Sequence, residues 1–172
     1  MERLYSKIIG MSVFVPNSMR PINTVQDIVI DPETGKVIAF AMDTRGKKVV
    51  VAMDVISVKH GLLIRDADDI IDSEDVLRVQ SVLEKSGGFM HKSVETEEGE
   101  RLGKVVDMAI DDRNLVLIKL YVSKTFIGIV QYDSRIISAK NIVEVRETRV
   151  IVKSGGEVRV EEAERVQQKS PA

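Results

Sequence analysis

Val25-Gln26-Asp27-Ile28-Val29-Ile30-Asp31 returns later in the chain as Val105-Val106-Asp107-Met108-Ala109-Ile110-Asp111, with both aspartates and the apolar residues between them in register. A repeat of this kind has to be found before any fold is argued, because it sets the number of domains. A second match pairs Ala52-Met53-Asp54-Val55-Ile56-Ser57-Val58-Lys59 with Ala139-Lys140-Asn141-Ile142-Val143-Glu144-Val145-Arg146. At constant spacing it continues through Leu63-Ile64 against Val150-Ile151, and on to Arg78-Val79-Gln80 against Arg165-Val166-Gln167. The two matches differ in spacing, so the second copy carries an insertion, placed near Lys124 to Ser134.

Working outward from the first motif, Val25 to Ile30 reads as a strand, and Asp31-Pro32-Glu33-Thr34-Gly35 as the turn that ends it. Asp bonds the backbone ahead of it, Pro presets φ, and Gly supplies a positive φ. Val37 to Met42 then returns as the hairpin partner. Upstream, Met11, Val13 and Val15 alternate as a half-buried strand does, until Pro16-Asn17-Ser18. Downstream, Lys48 to Ala52, Ile56 to Val58 and Leu62 to Arg65 complete six short strands, with His60-Gly61 as a turn. Six short strands without long helices predict a small barrel, whose closure also satisfies strand edges.

Composition agrees with this reading. Val and Ile are abundant, Trp is absent and aromatic residues are only 4%, which favours pleated, half-buried surfaces. A net charge of −2 from 25 basic and 27 acidic residues gives no general attraction to phosphate backbones or anionic membranes, so nucleic acid is disfavoured as a partner. The absence of cysteine removes disulfides, thiolate nucleophiles and Cys-based zinc sites, and fits a cytoplasmic protein. No apolar run approaches the roughly 18 residues of a membrane span, so no span is expected.

Ser73-Glu74-Asp75-Val76-Leu77-Arg78-Val79-Gln80-Ser81-Val82-Leu83-Glu84 is predicted to be a helix with Ser73 as its N-cap. Ser86-Gly87-Gly88 marks the domain joint. The expected organisation is a first domain at 1–85, a second at 86–168 that also ends in a short helix, Glu161 to Gln167, and a disordered tail at 169–172.

At this point the chain resembles a known family, the PRC-barrel domains. The likeness rests on Thr24-Val25-Gln26-Asp27-Ile28-Val29-Ile30-Asp31-Pro32-Glu33-Thr34-Gly35-Lys36-Val37 and on Glu98-Gly99-Glu100-Arg101-Leu102-Gly103-Lys104-Val105-Val106-Asp107. The family pattern has Gly where this chain has Asn23 in the first copy and Gly103 in the second; the turn Asp111-Asp112-Arg113-Asn114 lacks a counterpart of Gly35. Asn tolerates positive φ, which makes both changes sterically acceptable. The resemblance implies a mainly all-β protein of two tandem six-stranded PRC-type β-barrels, each followed by a short helix. It implies no shared enzymatic activity.

The residues themselves suggest little chemistry. Asp27 and Asp31, with Asp107 and Asp111, are spaced to share a strand face, yet no third ligand accompanies them, so with Gly35 they are read as structural turn residues. Asp66-Ala67-Asp68-Asp69-Ile70-Ile71-Asp72 lacks the spacing of a calcium loop. His60 and His91 occupy unrelated positions, and no glycine falls in a phosphate-loop pattern. Catalytic, metal and cofactor sites are therefore not expected. The insertion differs: Phe126, Ile127, Ile129, Val130 and Tyr132 stand where the first copy has a polar loop, and exposed apolar patches mark interaction sites. The expectation is a non-catalytic adaptor or structural protein that binds an unidentified protein partner or itself. An RNA- or ribosome-associated maturation factor, suggested by relatives within the family, is the alternative.

Overall fold

The computed structural model describes residues 1–85, 87–125 and 131–159, without the side chains of 125, 131–133 and 159. Two compact units emerge, Met1–Gly88 together with Ala109–Leu117, and Phe89–Met108 together with the chain from Ile118 onward. No described helix is long and apolar enough to cross a membrane.

The fold is mainly β. In the first unit β1 (Glu2–Leu4) and a single turn, α1 (Tyr5–Ile8), lead to β2 (Ser12–Phe14), β3 (Asn23–Thr24), β4 (Asp27–Ile30), β5 (Val37–Ala41) and β6 (Lys48–Val51). β7 (Val55–Val58), β8 (Leu62–Ile64), β9 (Ile71–Asp72) and α2 (Leu77–Lys85) follow. They form two four-stranded sheets, ordered β3-β2-β8-β7 and β4-β5-β6-β9. The chain passes from one to the other at Val25-Gln26. There the Val25 N–H donates to Met11 O (2.9 Å) in one sheet's direction, and the Gln26 N–H to Ala41 O (2.8 Å) in the other's.

The remaining strands are β10 (Ser93–Thr96), β11 (Arg101–Asp111), β12 (Val116–Thr125), β13 (Gln131–Ser138), β14 (Ile142–Val145), β15 (Arg149–Val152) and β16 (Glu157–Arg159). Their order is β14-β15-β10-β11-β12-β13-β16. This repeats the first unit's order if β11 stands for β3 and β4 together. Both halves place one parallel pair at the same point, β2 with β8 and β10 with β15. All other strand neighbours whose register is defined are antiparallel.

Three expectations need correction. Among the described residues no sheet closes into a barrel: each strand set ends on two edges, and no ladder joins β7 to β9. Ser73 does not cap a helix. It is buried, its N–H donates to Lys47 O at 2.8 Å, and it opens one turn of 3₁₀ helix. Val76 then returns to extended φ/ψ, so α2 starts only at Leu77. Finally, the repeat slips by one residue late in each copy. Val145 opposes Val150 as Val58 opposes Leu62, so Leu62-Leu63-Ile64 match Val150-Ile151-Val152. The first connection, Lys59-His60-Gly61, is one residue shorter than the second, Arg146-Glu147-Thr148-Arg149, and at Gly61 a Cβ would lie 2.8 Å from Ser12 O and 2.9 Å from the Phe14 ring.

α2 places Val79 and Val82 against Val29, Ala39, Ala41 and Val49. Small residues at 39 and 41 let the helix approach the sheet. In the acidic segment 66–72, Asp66 Oδ1 accepts from the Asp68 N–H (3.0 Å) and Asp69 Oδ2 from the Asp66 N–H (2.8 Å). The acids thereby cap their own 3₁₀ turn.

Candidate functional site

The repeated aspartates build two turns of the same design. Asp27 Oδ1 accepts from the Ile28 N–H at 2.7 Å, and Asp107 Oδ1 from the Met108 N–H at 2.8 Å. Asp31 Oδ1 accepts from the Glu33 N–H and Asp111 Oδ1 from the Arg113 N–H, both at 2.9 Å. Each turn closes on the aspartate's carbonyl, which accepts from Gly35 N–H (2.8 Å) or Leu115 N–H (2.9 Å). Gly35 and Leu115 both have positive φ, 69° and 51°. The second turn thus puts its left-handed residue at Leu115 and not at Asn114, and Asn23 is likewise not in the positive-φ region. A leucine there costs on the order of 1–2 kcal/mol, which the hydrogen bonds of the turn offset.

Within the first unit the two turns face one another. The Val37 N–H donates to Leu115 O and the Leu117 N–H to Gly35 O, both at 2.8 Å, with Lys36 bridged to Val116 between them. Because Gly35 and Leu115, and Val37 and Leu117, are equivalent positions of the repeat, the two hydrogen bonds are reciprocal.

Asp27 and Asp31 do not converge into one carboxylate site. A register shift between Val29 and Ile30 breaks the two-residue alternation of the strand, leaving Asp27 exposed and Asp31 buried. The Tyr5 hydroxyl donates to Asp27 (2.9 Å). Arg78 of α2 grips Asp31 with two nitrogens, Nε to Oδ2 at 3.1 Å and Nη2 to both oxygens at 2.8 and 2.7 Å, and also reaches Glu33 at 3.0 Å. Burial pushes the Asp31 carboxyl up, but the Arg78 guanidinium and the Glu33 amide outweigh it and hold it below the usual carboxylate range. Asp111 is held low mainly by the Asn114 and Arg113 amides. It faces the Met1 amino group at 3.5 Å, while Asp112 accepts from that amine at 2.8 Å and from Arg3 at 3.3 Å.

A carboxyl depressed by folding stabilises the native state above its unfolded pKa of about 3.9, and that contribution disappears as pH falls through the folded value. Asp31→Asn should therefore cost about 1.5–3 kcal/mol at pH 7, the scale of hydrogen bonds to a charged group. The gap from the parent protein should narrow in acid. Urea unfolding at pH 7 and pH 3 reads it, and an equal gap at both would show that the Arg78 pair contributes nothing.

Sequence reading assigned no role to Arg78, and it missed a buried pair in the second unit. Arg135 on β13 lies 3.3 Å from Glu157 of β16 and 3.6 Å from Glu100. Lys92, also buried, donates to Arg146 O at 2.7 Å, and burial holds its ammonium below its ordinary value. Nothing in the periodicity marks these charges as interior.

Residues 1–71 match the PRC-barrel domain. The match spans β1 to β8 and reaches Ile71 of β9, with the Asp27–Asp31–Gly35 turn inside it; the family model does not extend to the second copy. No curated protein matches the chain. A PRC-barrel domain suggests an interaction or structural role at most. Among the described residues no three His, Asp or Glu side chains gather to hold a metal ion.

Of the apolar insertion, Phe126, Ile127, Ile129 and Val130 lie outside the described residues, as does the side chain of Tyr132. So do Glu161 to Gln167 and the tail at 169–172. The arms leading to the insertion are described: β12 and β13 pair from Lys119 with Ser138 out to Thr125 with Gln131. The first copy's hairpin, β5 with β6, stops at Ala41 with Val49.

Proposed function

We propose that the chain is a non-catalytic adaptor or structural protein made of two PRC-type repeats, with Phe126, Ile127, Ile129, Val130 and Tyr132 as its interaction surface. The observation that carries the reading is the recurrence, across both halves, of the strand order found in the part that matches the PRC-barrel domain. The insertion is the clearest apolar departure of the second copy from the first. The sequence Phe-Ile-Gly-Ile-Val between Lys124 and Asp133 offers a partner apolar side chains without charge. Self-association or a protein partner in a reducing compartment fits the absence of cysteine.

Replacing Phe126 and Ile129 together by Ser tests the proposal. Each buried side chain contributes about 1.5–3 kcal/mol to an interface, so self-association or partner capture should weaken at least a hundredfold, with far-ultraviolet circular dichroism unchanged. Unfolding of the second unit with association intact up to that point would assign both residues to its core instead.

A further inference from the structure

We draw no further inference here: the strongest candidate, the outer edge strands β7 and β14, which expose Ile56 (53%) and Val143 (48%) at equivalent register shifts in the two halves, carries nothing because no observation in the structure shows what would cover them.

Discussion

Gly103→Ala is expected to destabilise the second unit by about 3–5 kcal/mol, combining a strained backbone of roughly 1–3 kcal/mol with overpacking of similar size. Gly103 has φ +132°, and a Cβ there would press on the backbone of β12, meeting Ser123 O, lying 2.5 Å from Ser123 C and 2.9 Å from Lys124 N. None of these atoms can swing aside as the end of a flexible side chain does. The close crossing lets β11 run unbroken from Arg101 to Asp111. Gly99→Ala is the control, since Gly99 has φ +86° with nothing within 4 Å and should cost only about 1–2 kcal/mol. Equal losses in the two variants, measured by urea unfolding, would show that the close approach to Ser123 has no energetic weight. At the equivalent position Asn23 is not in the positive-φ region; its Oδ1 accepts from the Thr24 N–H at 2.7 Å, and the strand breaks just beyond it.

The second large effect concerns Glu157→Ala, expected to cost about 3 kcal/mol, within the range for removing one partner of a buried ion pair. Arg135 and Glu157 side chains are only 7% and 16% exposed. Arg135 stands opposite Val122, and Glu157 opposite Ile137. Both therefore share the core face with Leu120, Val122 and Ile137, all fully buried or nearly so. Glu157 is the nearer of the two described carboxylates, at 3.3 Å against 3.6 Å for Glu100, and the less exposed, at 16% against 58%. The Arg135→Met, Glu157→Leu double variant should recover most of the loss, because apolar replacement removes both desolvation costs. Additive losses in the two single changes, with no recovery in the double, would mean that the pair is not coupled.

The same two positions explain why much of the fold was legible and part was not. The apolar run Ile28-Val29-Ile30 and the Asp-Pro-Glu-Thr-Gly turn are local signals, and β4, β5 and the positive φ of Gly35 follow from them. Paired aspartates with matching apolar spacing revealed the repeat, because each aspartate bonds amides within three residues of itself. What stayed hidden depends on distant partners. Ser73 has the composition of an N-cap, but its amide is held by Lys47 across the β6–β9 pair. Leu115 takes a left-handed conformation that its side chain disfavours, because Val37 uses its carbonyl. The roles of Arg78 and Arg135 depend on α2 and β16 bringing Asp31 and Glu157 to them. Barrel closure was inferred from strand count, which does not determine whether the outermost strands meet.

The second half repeats the strand order of the half that matches the PRC-barrel domain, and the parallel pair is its most distinctive element. Interstrand nuclear Overhauser contacts in the full-length protein test it directly. β10 and β15 should be found in parallel register, Val94 beside Val150 and Glu95 beside Ile151, mirroring Val13 beside Leu62 and Phe14 beside Leu63. An antiparallel β10–β15 pair, or β10 adjacent to a different strand, would contradict it.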